Sequence, residues 1–157
     1  LAKSISGNSE IDVVERHTEK PQLIEVSSRE AEDQLMREMI MDVDVNNPTS
    51  TAYIFKLEKD AIAFFESLGE LQKRATLLVS GCQAFTNGIV VTTSHMAKGL
   101  EFDEVVIPDV TKANYNDEMD KSLLYIACTR AMHRLKMIFC EEHTEFINNA
   151  LCISKKK

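Results

Sequence analysis

Val91-Thr92-Thr93-Ser94-His95-Met96-Ala97-Lys98-Gly99-Leu100-Glu101-Phe102-Asp103 begins as a strand and ends as a polar loop. With Ile89 and Val90 before it, the run 89–93 is apolar and β-branched, which suits a strand buried on both faces. Buried parallel strands open at their carboxyl edge, where ligands of open α/β sheets bind. The loop therefore carries hydroxyls (Thr93, Ser94), an imidazole (His95) and an ammonium (Lys98) to that edge. Together these groups suit a phosphate track. Gly99 permits a backbone shape or a close approach that a Cβ would block. The plainer alternative is that His95 and Lys98 are ordinary solvated loop residues.

A second stretch, Leu123-Leu124-Tyr125-Ile126-Ala127-Cys128-Thr129-Arg130-Ala131, reads as a helix that brings Arg130 to its last turn. An arginine there either offsets the negative end of the helix dipole or faces a ligand across a cleft. Cys128 has no base beside it in the sequence and reads as a small packed residue.

Outward from these two stretches, strands and helices alternate. Strands are expected at 22–26, 51–55, 76–79, 89–93, 104–107 and 135–139. Ser27 or Ser28 can cap a helix on which Ala31, Leu35, Met39 and Val43 form one apolar row, stopped by Asn46-Asn47-Pro48. A helix from about Lys59 places Ala61, Phe64, Phe65 and Leu68 on one face, with Gly69 near its end. A third spans roughly Asp117–Ala131, and a short one Glu145–Leu151. His133 and Arg134 are expected to start the sixth strand as solvated residues. Alternation with continuous apolar strands predicts an α/β sandwich with a mostly parallel central sheet. Residues 1–20 read as a linker or poorly packed segment, 21–152 as one domain and 153–157 as a basic tail.

The bulk numbers allow one soluble globular domain: 157 residues, 44% hydrophobic and 27% charged. The apolar runs are far shorter than the roughly 20 residues of a membrane helix, so no membrane partner is expected. Leu1–Gly7 lacks the apolar stretch of a signal peptide. The chain opens without an initiator methionine and is expected to be a fragment or processed product. The net charge of −7 weighs against a free-standing nucleic-acid binder, so any such contact must be local. Cys82, Cys128, Cys140 and Cys152 form no CxxC pair, and no zinc-type spacing is visible, so no metal site is expected. Reduced thiols in the cytoplasm are the simplest setting.

The two stretches resemble motifs V and VI of the UvrD/Rep-like superfamily 1 helicases, T-x-H-x-x-K-G-L-E-F and L-Y-V-x-x-T-R-A. The matching residues are Thr93–Phe102 and Leu124–Ala131, in the family's order, each followed by a strand. The resemblance covers roughly residues 50–140 and only loosely the first 50. It implies a RecA-like three-layer sandwich of the P-loop NTPase type. It implies single-stranded DNA contacts at Thr93, His95 and Lys98, and ATP contacts at Gly99, Glu101 and Arg130. Glu101 would accept a hydrogen bond from the ribose. Arg130 would be the catalytic arginine finger, a role worth about 10³–10⁵ in rate in related phosphoryl transfers.

There is no GxxxxGK[ST] and no Asp-Glu pair ending a strand, so neither a phosphate cradle nor Mg²⁺ ligands are present. The family's N-Y-R-S-type motif IV is also not visible and would lie before or about residue 1. ATP with Mg²⁺ would be shared with an N-terminal RecA-like domain of the same protein. Ser80 to Gly88 is too short for the family's 2B insertion, and Pro108 to Ser122 is short as well. Both departures, with the -CTRAMHRL- ending, lean toward the HelD-like branch, in which RNA polymerase can be the partner. A non-catalytic adaptor module is the third possibility, against which the intact Lys98–Glu101 and Thr129-Arg130 stand.

Overall fold

A computed structural model of the chain describes residues 20–44, 46, 49–80, 88–147 and 152–155. Strands β1 (Gln22–Glu25), β2 (Thr51–Phe55), β3 (Ala75–Leu78), β4 (Ile89–Thr93), β5 (Phe102–Ile107), β6 (Ala131–Phe139) and β7 (Cys152–Lys155) form one sheet, in the order β3-β4-β2-β5-β6-β1-β7. Every pairing between these strands is parallel. Helices α1 (Arg29–Met41), α2 (Glu58–Ser67) and α3 (Glu118–Thr129) connect them, with a 3-10 turn at Gly69–Arg74.

Both faces of the sheet are buried, as the apolar strands require. Ile54, Val90, Val105, Leu135 and Met137 face one core with Leu124 and Ala127 of α3. Tyr53, Val91, Val106 and Ile138 face the other with Met36 and Ile40 of α1 and Phe64 of α2. Each fully buried Leu or Ile contributes about 1.5–3 kcal/mol relative to exposure. The α/β sandwich expected from the sequence is the one observed, and β4 lies inside the sheet between β3 and β2.

The local elements differ in instructive ways. Ser28 does cap α1, accepting from the Ala31 N–H at 3.0 Å. The deepest row of α1, however, is Glu32-Met36-Ile40; Ala31, Leu35, Met39 and Val43 are only half-buried. Both rows repeat every fourth residue, and the charge on Glu32 hid the deeper one. Glu32 is buried because its Oε2 accepts the Asp109 N–H at 2.7 Å and its Oε1 lies 3.3 Å from Arg29 Nε. Asp109 sits at the exit of β5 in left-handed backbone, φ 56°.

β5 begins at Phe102 rather than Glu104, and β6 at Ala131 rather than Leu135. Phe102 pairs with Ala131, and a register shift follows before Glu104 pairs with Arg134. His133 and Arg134 thus lie inside β6; His133 is exposed and Arg134 half-buried. Arg134 Nε is 3.7 Å and Lys136 Nζ 2.8 Å from Glu104 Oε2. The helix expected at 145–151 is not formed by residues 145–147, which make a turn and a bridge; residues 148–151 lie outside the described residues. Cys152–Lys155, expected to lie largely in a basic tail, pair with β1 as β7. The lead-in segment 1–19 and the stop at Asn47-Pro48 also lie outside the described residues.

Candidate functional site: the 94–101 crossover and helix α3

The chain passes from the carboxyl end of β4 to the amino end of β5 through residues 94–101, which pack on the same face of the sheet as α3. This crossover is wound as turns. The Ala97 N–H donates to Thr93 O and the Leu100 N–H to Ala97 O, both at 2.9 Å. The Thr93 hydroxyl accepts from the Met96 N–H at 3.3 Å. Ala97 is fully buried against the sheet, where a larger side chain would lift the crossover away. Gly99 has φ +88°, and a Cβ built there would touch nothing within 4 Å. Glycine serves the backbone shape here, not a close approach.

The sequence-predicted groups separate along this segment. His95 and Lys98 are exposed; Thr93 and Ser94 are buried, at 5% and 0% exposure. The Thr93 hydroxyl shapes the turn rather than facing solvent. Ser94 Oγ has no hydrogen-bond partner among the described residues. Gly99 and Glu101 are exposed near the amino end of β5.

Helix α3 runs back along the crossover. Asp117 and Asp120 form a capping box at its start, with the Asp120 N–H donating to Asp117 Oδ1 at 2.8 Å. Lys56, just past β2, reaches Asp120 Oδ1 at 2.7 Å and also donates to the Asn114 carbonyl. Burial pushes the Asp120 carboxyl up, but the Asn116 N–H, Lys56 and the Asp117 N–H outweigh it and leave it below the usual value. Neither Lys56 nor Asp120 was singled out from the sequence. Lys56 carried no signal beyond its place after a buried strand. Cys128 is buried in the core, and burial pushes its thiol up to about 12, which makes it a packed residue rather than a nucleophile.

At its far end, α3 stops on Arg130 as C-cap. The side chain is half-buried and turns back on its own domain. Nε donates to Ile126 O at 3.3 Å, Nη2 to Thr129 Oγ1 at 3.2 Å and Nη1 to Leu100 O at 3.0 Å. The Arg130 carbonyl accepts the Phe102 N–H at 2.8 Å. The guanidinium thus satisfies a carbonyl at the negative end of the helix and fastens the crossover to it. Gly99, Leu100, Glu101 and Arg130 come together where β5 and β6 begin. His95 lies next to the opposite edge, at the exit of β4.

A parallel sheet covered on both faces, with helices between its strands, is a doubly wound α/β sandwich, and its likeness to RecA-like helicase C-terminal domains comes from the comparisons. Residues 88–138 match the UvrD-like helicase C-terminal domain, over the crossover, α3 and most of β6. Among solved structures, the chain is similar to the C-terminal domain of a possible DNA helicase from Lactobacillus plantarum. The TM-score is 0.72 at 26% identity, covering 92% of this chain and 91% of that one. The C-terminal domain of the DEAD-box protein Dbp5 shares the fold, with TM-score 0.60, 12% identity and coverage of 79% and 78%. So does an Arterivirus helicase, nonstructural protein 10, solved with DNA: TM-score 0.60, 10% identity, 91% of this chain and 37% of that one. No curated protein matches the chain.

Proposed function

We propose that this domain is the second half of an ATP-driven motor on single-stranded DNA, working against an N-terminal RecA-like domain that supplies the P-loop and the Mg²⁺ ligands. The observation that carries this reading is the crossover, which starts beside exposed His95 and Lys98 and ends at the Leu100 carbonyl held by Arg130. The residues present fit half of a nucleotide site: a planar guanidinium at a helix end, an exposed carboxylate at Glu101 and a glycine backbone between them. ATP and Mg²⁺ would supply the phosphoryl group and its charge neutralisation. Arg130 would stabilise negative charge on the γ-phosphate, Glu101 would orient the ribose, and Gly99 would set the backbone that presents both. His95 and Lys98 would face the DNA backbone, while Thr93 shapes the turn that presents them. Buried free Cys128 and Cys140 fit a reducing, cytoplasmic setting.

The test is Arg130→Ala in the two-domain protein. Turnover should fall by about 10³-fold or more with ATP affinity changed little, because the contact would be strongest in the transition state. Arg130→Lys should rescue little, since an ammonium cannot reproduce the planar fork. Turnover within about threefold of wild type, only ~0.7 kcal/mol, would remove Arg130 from the chemistry. A second reading replaces unwinding with remodelling of RNA polymerase, as in the HelD-like branch. The short β3-to-β4 connection at residues 79–88, with no 2B insertion, favours it. Binding to RNA polymerase without measurable duplex unwinding would select it.

A further inference from the structure

We propose that the pocket beneath the C-terminal end of α1, at the amino ends of β2, β5 and β6, is a binding site for a neutral flat lactam ring, the chemistry of guanine and thymine bases. The inference stands on geometry within this domain and does not depend on the function proposed above.

The pocket exists because α1 stops short. Its C-cap is Asp42, and Arg74 Nη1 donates to the carbonyls of Ile40, Met41 and Val43 at 3.5, 3.2 and 3.4 Å. Carbonyls at the helix end are thereby satisfied without a further turn over the sheet. Beneath that end, the strands carry polar groups on a face that is otherwise apolar. Thr51 of β2 pairs with Glu104 of β5, and Glu104 with Arg134 of β6. One level on, Tyr53 and Lys136 flank Val106. A cavity of about 350 Å³ lies between this floor and a wall formed by the half-buried Met39 and Val43. That volume falls within the range of small-molecule sites, roughly 300–1,000 Å³.

Two polar groups of the floor are unused. Tyr53 is only 1% exposed, yet its hydroxyl has no hydrogen-bond partner among the described residues. Burial, with the charge of Glu104, pushes the phenol up, so it stays a donor. Glu104 meets both of its cations on one oxygen, with Lys136 Nζ 2.8 Å and Arg134 Nε 3.7 Å from Oε2. Its Oε1 has no partner among the described residues. Polar groups this deep are ordinarily paired, so a donor and an acceptor left open in one pocket point to a ligand that pairs them.

The chemistry of the lining selects the ligand. An acceptor is wanted by Tyr53 and an N–H by Glu104. Lys136, at the same level of the sheet as Tyr53, has donors to spare, which favours a carbonyl oxygen with two lone pairs over a ring nitrogen with one. A carbonyl beside a ring N–H offers both on one edge, and the flat face of such a ring suits the apolar wall. Asp42, Asp44 and Glu104 outnumber Arg134 and Lys136 around the pocket, three charges to two, which disfavours a phosphate inside it. A free nucleoside and an unpaired base of single-stranded DNA present the same edge.

NMR titration of this chain with guanosine, thymidine, adenosine and cytidine, and separately with a short oligothymidylate, tests the site. Guanosine or thymidine should move the amide signals of residues 51–53, 104–106 and 134–136 saturably. Adenosine and cytidine, whose rings have no N–H, should bind more weakly. Tyr53→Phe removes only an unpartnered hydroxyl, so it should leave the urea midpoint unchanged and weaken binding about three- to tenfold, the effect of one hydrogen bond. Arg130→Ala should not alter binding. Tighter binding of the oligonucleotide, with the same amides moved, identifies a base of DNA as the natural source; binding of nucleosides alone identifies a free one. The proposal is overturned by the absence of saturable shifts at these amides, by equal binding of all four nucleosides, or by full affinity in Tyr53→Phe. A lowered midpoint in Tyr53→Phe overturns it too, since the hydroxyl would then have a partner in the fold. Binding lost in Arg130→Ala does the same by placing the ligand at the end of α3, and leaves the function proposed above standing.

Discussion

Replacing Glu32 with Gln should make the domain more stable above neutral pH, by an amount that the burial of this carboxyl sets. Glu32 is 1% exposed, and burial is the main cause that pushes its pKa from 4.5 to about 7. The Asp109 N–H and Arg29 oppose that shift, while the charge on Asp109 adds to it. A carboxyl whose folded pKa is raised binds its proton more tightly in the native state. Between its unfolded and folded values the native protein therefore holds more protons, and stability falls as pH rises. Integrated from pH 5.5 to 8, this shift amounts to a loss of about 2 kcal/mol, or a fall of roughly 4–8 °C in melting temperature for a domain of this size. The glutamine keeps an oxygen for the Asp109 N–H and cannot ionise. Its only loss is the contact with Arg29, whose side chain is 57% exposed and screened by water. Urea denaturation of both proteins at pH 5.5 and pH 8 gives the comparison, and the difference between the two cancels the other titrating groups. The variant should gain on wild type by about 2 kcal/mol across that interval. A constant difference at both pH values would refute the assignment of Glu32 as a carboxyl desolvated by the fold.

Three other outcomes are expected. Gly99→Ala should cost about 1–2 kcal/mol in urea unfolding through its left-handed backbone alone, because no atom crowds the site; an unaltered midpoint would show that the backbone relaxes freely. Lys56→Met should destabilise by roughly 1–3 kcal/mol at neutral pH by leaving Asp120, 9% exposed, without its cation. Because the Asp120 carboxyl lies below its usual value, the stability it lends is present above the ordinary carboxylate range and is lost as pH falls. The acid side of the stability profile should therefore be shallower in the variant, and an identical acid limb would contradict the pairing. Binding of single-stranded DNA by this chain alone should be weak and steeply salt-dependent, since few cations face a net charge of −7; tight binding that survives high salt would overturn it.

What the sequence made legible follows the strength of the local signal. β4 is an uninterrupted β-branched run and β2 is β-branched or aromatic but for Ala52, and their bounds at 89–93 and 51–55 agree with the structure residue for residue. Ser28, one of the two serines that could cap α1, marks a helix start because a short polar side chain before a helix has a local reason to be there. The failures occur where a long-range partner decides. Nothing near Ala131 says that it pairs with Phe102 across the sheet, so the start of β6 was read as helix. Cys152–Lys155 end in lysine, yet they form a strand because the edge of β1 is open to them. Glu32 can belong to a buried row because its carboxylate accepts from an N–H that lies 77 positions away.

The site shows the same division, and Arg130 shows why a motif alone leaves its chemistry incomplete. From the sequence, the arginine either offsets the dipole of its own helix or reaches across a cleft. The structure places the guanidinium on the Ile126 carbonyl of its helix and on the Leu100 carbonyl of the crossover, so the capping reading is realised. Capping does not compete with the other role. An arginine free in solvent would have to give up rotamer freedom before meeting a phosphate, whereas one already held by its own domain has lost most of it. The bonds that look like a structural use of Arg130 are the ones that would preorganise it for a charge arriving from outside. The same reasoning separates Thr93 from His95 and Lys98. The hydroxyl accepts the Met96 N–H inside the turn, and the imidazole and the ammonium are left exposed by it. The spacing of the motif therefore records two kinds of residue, those that build the loop and those that the loop presents. Only burial and hydrogen bonding tell them apart.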